Sequence, residues 1–339
     1  MTQPALSTLQ NVQWGLETIS THGTAVAATS RIACEGIEFT ALDMLARPRL
    51  AKGYLLANPG NEMPIRRGTT FSVKESPVIY DQIQSWLAMC VTGAVATSGS
   101  PSVYTWAFTR SITVDPNPDS RTIERRISEG ANHIDNEWAY AMLSQIRFIY
   151  EPDQPLRFSA DGFARRIQAS TLTAAQALPT IEYPPAALGV LSIDTSWVGL
   201  GGTPVVAQVL RAEVIFKSGL GPKMTLDGRT DLDFTTYVLN PEEVNVEVNL
   251  TLFVKTSSGQ FATEKTAAEA GTLRAVRLYV AGTGSRALTL DMLCKHQDAS
   301  IQTIGSKDGQ EVVEMKLVGA TDATNFFKAT VVNATTTVV

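Results

Sequence analysis

Apolar and polar residues alternate one by one along much of this chain. The alternation is clearest at residues 104–108, 141–150, 156–167, 209–217, 244–255, 273–280, 287–294, 311–318 and 326–332. Because successive side chains of a strand point to opposite faces, such segments are typical of β-strands with one buried face. Turn-forming steps at 151–153, 161–162 and 307–309 separate several of them and favour hairpins. The pattern therefore predicts a mainly β fold.

Two segments have helical spacing instead. In the first, at 77–92, Ser76 is expected to cap the helix and Pro77 to occupy its first turn. Its apolar residues recur every three or four positions and predict one buried stripe, made of Ile79, Ile83, Leu87 and Cys90. The second helix, at 262–270, is more polar and ends before Gly271, so we expect it to lie on a sheet through a thin apolar edge.

The predicted elements occur twice in a similar order. A strand at 69–74, the first helix, a strand at 103–110 and three further strands precede residue 170. A strand at 245–255, the second helix, a strand at 273–281 and three further strands follow it. This order favours an internal duplication, although an α+β domain can show such an order by chance.

The segment 170–185 separates the two halves. It is rich in Ala, Thr and Pro and has no periodicity, which is typical of a linker between domains. With 339 residues, the chain is long enough for two domains of ordinary size. We therefore expect a first domain at 1–185 and a second at 186–339.

Composition narrows the possible partners. Charged residues make up 18% of the chain, below the roughly 25% of typical soluble proteins, which suggests that another copy covers part of the surface. The net charge of −5 argues against a protein that holds duplex nucleic acid by its phosphates. No apolar run approaches a membrane span, and the first residues show no secretion signal. Cys34, Cys90 and Cys294 indicate free thiols in a reducing cytoplasm.

Candidate chemistry is sparse. Cys294 and His296 would share one face of a strand, as a thiolate–imidazolium pair requires, but a buried cysteine beside an exposed histidine is the favoured interpretation. The glycines at 199–202 precede no helix, so they predict no phosphate site. Three acidic residues at 227, 231 and 233 lack the spacing of an EF-hand, which favours solvated loop charge. The sequence predicts no catalytic residue, metal or cofactor.

Two groups of arginines have two interpretations. They are Arg121, Arg125, Arg126, Arg165 and Arg166. The first interpretation is a strand face with ion pairs, because Glu124 and Glu129 lie among them. The second is a charged contact between neighbouring copies of the chain. No aromatic residues are interleaved with these arginines in the sequence, which argues against binding of single-stranded nucleic acid.

Two stretches resemble a known family. The first is Trp14-Gly15-Leu16-Glu17-Thr18 followed by THGTAVAAT at 21–29, and the second is VIFK at 214–217 followed by GPKMTLDG at 221–228. In order and length, most of the chain is similar to the tail tube proteins of long-tailed, siphovirus-type bacteriophages. The resemblance implies two tandem tail-tube-like β-sandwich domains, each with one helix packed on a sheet.

The resemblance also implies a function. Tail tube subunits form stacked rings that conduct DNA from the capsid to the host during genome ejection. Two-domain chains would make a pseudo-hexameric ring from three copies, with a hexamer as the alternative. The implied partners are further copies, the tape-measure protein, the tail terminator and tip proteins, and double-stranded DNA that passes through without specific binding. No membrane is involved, and the protein would be made in the host cytoplasm and located in the virion tail.

The loop at 45–67 is the expected contact between rings. Its candidate residues are apolar: Leu50, Tyr54, Leu55 and Leu56. Residues 1–13 and 334–339 are alternative arms, and a mobile surface loop is the other interpretation of 45–67. The alternative function is another self-assembling or carbohydrate-binding β-sandwich protein of a virion or adhesion system. A sugar-binding surface needs exposed aromatic rings, and Trp86, Trp106 and Trp138 are scattered along the chain.

Overall fold

The structure is a computed structural model. It describes residues 10–46, 63–92, 97–100, 103–129, 132–174, 176–254, 259–298, 301, 303–307 and 309–336. These residues form twenty-two strands and two α-helices, which confirms the mainly β prediction. The strands are β1 (Gln10–Leu16), β2 (Ser30–Arg31), β3 (Ile37–Ala41), β4 (Met44–Ala46), β5 (Met63–Arg66), β6 (Thr69–Pro77), β7 (Thr97–Ser100), β8 (Val103–Arg110), β9 (Arg121–Glu129), β10 (Asn132–Tyr150), β11 (Arg157–Ala164), β12 (Gln168–Ala169), β13 (Gly189–Asp194), β14 (Val209–Lys217), β15 (Leu220–Lys223), β16 (Thr236–Leu239), β17 (Asn245–Phe253), β18 (Arg274–Ala281), β19 (Ala287–His296), β20 (Thr303–Lys307), β21 (Gln310–Gly319) and β22 (Phe327–Asn333). The helices are α1 (Tyr80–Ala88) and α2 (Gln260–Glu269).

Strand β10 takes part in two sheets. Its first part pairs with β9 and β12, and its second part pairs with β11 and β14. The change occurs at Tyr140, which has a φ of 57°, and the register with β9 shifts between Trp138 and Ala141. A bulge of this kind bends a strand and redirects its pairing. The bulge therefore lets one strand of 19 residues connect both sheets.

One antiparallel pairing order occurs twice in the chain. The first repeat has the order β1-β9-β10-β11-β6-β3. The second repeat has the order β13-β18-β19-β21-β17-β14. Helix α1 follows β6 as α2 follows β17, and the hairpin β4–β5 precedes β6 as β15–β16 precedes β17. The expected match of 103–110 with 273–281 is wrong, because the counterpart of β18 in this order is β9 and not β8.

The two repeats share sheets and core. Strand β14 pairs with β10 from Gln145–Lys217 to Tyr150–Ala212, and β22 pairs with β8. One apolar cluster contains residues of both halves, from Val12 to Val331. Burial of this continuous apolar surface is the main source of stability, so the stability of each repeat depends on the presence of the other.

The segment 170–185 is attached to both repeats. Its described residues, 170–174 and 176–185, form neither a strand nor a helix. The Thr173 amide donates to Glu124 at 2.8 Å, and Glu182 accepts from Arg286 at 3.0 Å. The boundary at residue 185 stays a prediction.

A polar joint lies between α1 and the second repeat. The Arg286 guanidinium also donates to Asp81 of α1 at 3.1 Å. The buried Asn333 amide donates to the Tyr80 carbonyl at 2.8 Å and accepts from the indole of Trp106 at 3.1 Å. Buried polar groups are costly unless they are paired, so these bonds fix the position of the last strand.

Helix α1 begins later than predicted. Strand β6 continues to Pro77, which pairs with Arg157, and the N-cap is Ile79. The Ser76 hydroxyl donates to the Lys74 carbonyl instead of capping the helix. Pairing with β11 keeps these residues extended. Eight of the nine residues of α1 are buried, so the helix is covered on most sides and not along one stripe.

Helix α2 agrees with the sequence. It covers Gln260–Glu269, and Gly271 has a φ of 60°, a conformation that favours glycine at a helix end. Its buried residues are Glu264, Ala267 and Ala268, which is the thin contact edge that was expected. No helix in the described part of the chain is long and apolar enough to cross a membrane.

The turn predicted at Asp161-Gly162 is wrong, because both residues lie inside β11 and pair with β6 and β10. A Cβ atom at Gly162 would lie 2.3 Å from the Met142 carbonyl oxygen and 2.5 Å from the Phe71 ring. Glycine is therefore required by close packing, and the Asp-Gly pair does not mark a hairpin.

Gly162→Ala should lower the free energy of unfolding by about 1–3 kcal/mol, because the added methyl group overpacks a sheet. Chemical denaturation monitored by circular dichroism measures this change. The control is Gly221→Ala in β15, where a Cβ meets nothing within 4 Å. Equal stability of the two variants would contradict the packing argument.

Candidate assembly surfaces

The Glu17 carboxyl group anchors the N-terminal motif. It is 1% exposed. One oxygen accepts from the Tyr140 amide at 2.7 Å and the Thr122 hydroxyl at 2.9 Å. The other accepts from the Gly23 amide and the Ser120 hydroxyl, both at 2.6 Å. Four donors from separate segments thus bind one side chain. The Glu17 carboxylate therefore holds the Gly-Leu-Glu-Thr segment in place against the rest of the fold.

His22 lies beside this anchor. Its Nδ1 is 2.6 Å from the Ser120 Oγ. Since the single hydroxyl proton of Ser120 points to Glu17, Nδ1 must donate to Oγ. Burial lowers the pKa of His22, although Glu17 and Asp119 oppose the shift. The ring stacks on Tyr140 at a centroid distance of 5.5 Å.

The contact of Ser120, His22 and Glu17 was not predicted from sequence. Ser120 is 103 residues away from Glu17 along the chain, and no local pattern indicates that pairing. The serine is fully buried and its proton is bound to a carboxylate. A nucleophilic serine needs an oxygen that is open to substrate, and the Ser120 oxygen is buried. This arrangement instead fixes the segment around His22.

Trp14 connects the motif to the core. It is fully buried, and its ring meets Trp86 of α1 edge-on at a centroid distance of 4.5 Å. The Arg121 guanidinium lies 4.5 Å from the centre of the Trp14 ring. Burial lowers the pKa of Arg121 to about 10, and nearby Asp119 counteracts part of this effect. In the described residues the guanidinium has no hydrogen-bond acceptor, so its contact with the indole ring is a cation–π contact inside the core.

Arg165 is also held inside the chain. It donates to the Gly23 carbonyl at 2.7 Å and lies 5.1 Å from the centre of the Tyr140 ring. A Cβ at Gly23 would come within 2.3 Å of this guanidinium, and the φ of Gly23 is 79°. Glycine therefore serves two needs at this position of the motif, a left-handed turn and a close approach.

Of the remaining candidate arginines, Arg125 and Arg126 lie on β9, whereas Arg166 lies between β11 and β12. Arg126 binds Asp135 through two bonds of 2.7 and 2.6 Å. These bonds from Arg126 lower the pKa of Asp135 to about 2. The Arg166 amide donates to Asp233 at 2.9 Å, while Arg125 lies over two aromatic rings, those of Phe39 and Trp138.

The ion-pair interpretation therefore fits Arg126. Glu124, expected to pair with the arginines, instead accepts from Gln13 and Thr173, and the side chain of Glu129 lies outside the described part. Three of the five arginines stack on rings that come from distant segments, so spacing along the sequence could not indicate these contacts. A contact of the five arginines with a neighbouring copy stays a prediction.

Exposed apolar residues gather on the hairpin β4–β5 and beside it. Met44, Leu45, Met63 and Ile65 are 46–56% exposed, and Leu42 is 38% exposed. Leu50, Tyr54, Leu55 and Leu56, the predicted contact residues, lie outside the described residues. Clusters of exposed apolar side chains mark contact surfaces in soluble proteins. The apolar residues of β4 and β5 are therefore sufficient to make this hairpin a candidate assembly surface.

The hairpin β15–β16 has the same position in the second repeat. Val238 is 40% exposed, and Leu226, in its loop, is fully exposed. The two hairpins are adjacent, because the Arg67 amide donates to the Leu232 carbonyl at 2.9 Å. We define these two hairpins with their exposed apolar residues as the hairpin surface.

The acidic loop beside this surface is partly buried. Asp231 pairs with Arg229, whereas Asp233 is 1% exposed and burial raises its pKa. The expectation of solvated loop charge is therefore wrong for Asp233, which is needed to bind the Arg166 amide. In the described residues, no group of three or more His, Cys, Asp or Glu side chains could hold a metal ion.

Cys294 and His296 belong to a buried cluster. Burial raises the pKa of the Cys294 thiol, which disfavours a thiolate. The expectation of an exposed histidine is wrong, because the His296 side chain is 2% exposed and its Nε2 lies 3.0 Å from Glu264. Arg274 donates to the same carboxylate at 3.0 Å. Burial opposes ionisation of Glu264, but the bonds from His296 and Arg274 keep its pKa below the ordinary value.

Comparison with models of known protein families and with curated proteins finds no match for this chain.

Glu17→Gln should lower the free energy of unfolding by about 2–4 kcal/mol, because an amide nitrogen cannot accept the bonds that one carboxylate oxygen accepts. Urea denaturation at neutral pH measures the loss. Glu38→Gln is the matched control, since Glu38 forms an exposed pair with Lys74 and such pairs contribute under about 1 kcal/mol. If both variants were equally stable, Glu17 would not be the anchor of the motif.

Proposed function

We propose that this protein is a structural virion protein, the subunit of a siphovirus-type phage tail tube. The observation that carries the proposal is the repeated pairing order, with a hairpin at the same place in each repeat and exposed apolar residues on both hairpins. The resemblance of the N-terminal motif to tail tube proteins also supports the proposal. The motif residues described above hold the N-terminal segment in place, so the motif has a structural role in this fold.

The two repeats correspond to two tandem tail-tube-like β-sandwich domains. In the proposed assembly, three copies form a pseudo-hexameric ring, and each contact between copies is head to tail. The ring would surround the tape-measure protein during assembly and later conduct double-stranded DNA. A net charge of −5 suits a passage from which a polyanion must slide without binding.

The hairpin surface is the proposed contact between stacked rings. Its apolar side chains are in water in the single chain, and burial against another ring would stabilise the stack by the hydrophobic effect. Tail terminator and tip proteins would cover the same surface at the ends of the tube.

A carbohydrate-binding function receives less support. Trp14, Trp86, Trp106 and Trp138 are all buried. Sugar binding through an aromatic platform needs exposed ring faces, and these four side chains cannot supply them in this fold.

Purified protein, fresh and after concentration, should form rings or tubes with a central opening in negative-stain electron microscopy. Three-fold symmetry with six similar lobes is the expected view along the axis. Hexameric rings of twelve lobes would overturn the trimer, and a strictly monomeric protein under all conditions, including addition of a tail tip complex, would overturn the tube itself.

A Met63→Glu/Ile65→Glu double variant should fold normally but form no stacked tubes, because two charges would have to be buried between rings. Circular dichroism tests the fold and electron microscopy tests stacking. The control is Val198→Glu, at a residue that is 98% exposed and lies in neither hairpin. Tubes of normal length from the double variant would exclude the β4–β5 hairpin from the contact.

A further inference from the structure

Strands β3 and β14 are counterparts with different neighbours. Strand β14 pairs with β17 on one edge and with β10 on the other. Strand β3 pairs with β6, the counterpart of β17. In the described residues its other edge has no partner strand. An edge strand of this kind presents unpaired amide and carbonyl groups that favour pairing with another chain.

The backbone groups at the open edge correspond to those that bind β10. The Lys74 amide donates to the Gly36 carbonyl and the Leu42 amide to the Gly68 carbonyl. Because bonding alternates along an antiparallel pair, even-numbered residues of β3 face β6. Residues 37, 39 and 41 therefore face the open edge.

Strand β14 has the same alternation. The Ser218 amide donates to the Ser144 carbonyl, so residues 212, 214 and 216 of β14 face β10. We align the first buried residue of β6, Thr69, with the first buried residue of β17, Val246. Residue 41, the partner of Thr69, is then the equivalent of residue 216, the partner of Val246. The unpaired backbone amides and carbonyls of β3 thus correspond to the backbone groups of β14 that bind β10 within the chain.

The same comparison of the repeats indicates which strand could pair with the open edge of β3. The strand that binds β14 is β10, whose counterpart in the second repeat is β19. Strand β19 pairs with β18 only as far as Cys294, while its other edge continues along β21, where the Gln297 amide donates to the Lys316 carbonyl at 2.8 Å. The edge that follows Cys294 on the β18 side is therefore open through Asp298 in the described residues.

We propose that the open edge of β3 pairs with His296, the last residue of β19, and the two residues that follow it, Gln297 and Asp298, of a second copy of this chain. The pairing between copies would repeat the antiparallel pairing of β14 with β10 within the chain. In the alignment used above, Val73 is the equivalent of Leu250; Val73 leads through Ala160 to Ile146, and Leu250 leads through Met315 to Asp298 when the β19–β21 register is continued. The pairing therefore places Asp298 of one copy opposite Ala41 of the next, as Ile146 is opposite Phe216. Each copy offers one edge of each kind, so the contact is heterologous and can close into a ring. The inference rests on the proposed function, because it requires a self-assembling chain.

A disulfide tests the register. Ala41 and Asp298 are both exposed, and hydrogen-bonded antiparallel pairs have Cα atoms about 5.5 Å apart, within disulfide range. The test protein carries Ala41→Cys and Asp298→Cys in a Cys34→Ser background, since Cys34 is the partly exposed native thiol. Oxidised rings should give covalent dimers and trimers on a non-reducing gel.

The controls distinguish a failure of the edge pairing from a failure of the tail tube proposal. Each single variant should remain monomeric on the gel, and so should Ala41→Cys combined with Lys295→Cys, which is exposed but out of register. Rings in the microscope without cross-links in the in-register variant would overturn the edge pairing and leave the tail tube proposal standing. Absence of rings and of cross-links would overturn both.

A second variant tests the edge without a disulfide. Ala41→Pro removes an amide that faces the open edge, so the single chain loses no ladder bond, and proline is tolerated on edge strands. We expect a monomer with unchanged thermal stability and complete loss of rings, while Ala41→Val forms rings normally. Normal rings from a folded Ala41→Pro protein would contradict the pairing.

Discussion

The buried carboxyl group of Glu17 is the contact on which the arrangement of the sheets depends. A bulge at Tyr140 takes one amide out of the β-ladder, and that amide donates to Glu17 at 2.7 Å. An unpaired buried amide would cost free energy comparable with a lost hydrogen bond. By accepting it, Glu17 stabilises the bend that carries β10 from one sheet into the other. The pairing of β10 with β14, and with it the join between the repeats, follows from this bend.

The join between the repeats combines apolar and polar contacts. Sheet pairing and the shared core contribute most of the burial, whereas the contacts of Arg286 and Asn333 fix the alignment. Directional bonds between buried groups are sensitive to small displacements. The chain therefore has one defined geometry between its repeats.

Sequence patterns predicted the local elements better than their partners. Alternation predicted the strands of the second half closely, and the Gly271 stop of α2 is where it was expected. Strand pairing depends on contacts over more than a hundred residues, so the match of β8 with β18 was wrong although both are strands. Pro77 shows the same limit, because its pairing with β11 overrides a helix-start signal that is correct by local rules.

The candidate assembly surfaces could be predicted only in part. An apolar segment at 45–67 is predicted from the sequence as a contact loop, but its counterpart β15–β16 becomes recognisable only through the repeated pairing order. The arginines had a local charge pattern that suggested ion pairs, whereas Trp14, Tyr140 and Trp138 reach them from other strands. Spacing in a sequence carries no information about such contacts.

The length of β10 has a mechanical consequence. It is one strand of 19 residues, bent at Tyr140, that is bonded to β9 at one end and to β14 at the other. A force along its axis loads these parallel rows of hydrogen bonds in shear, so several must break together and not in succession. Tension applied to the first repeat is thereby passed to the second through the hydrogen bonds between β10 and β14.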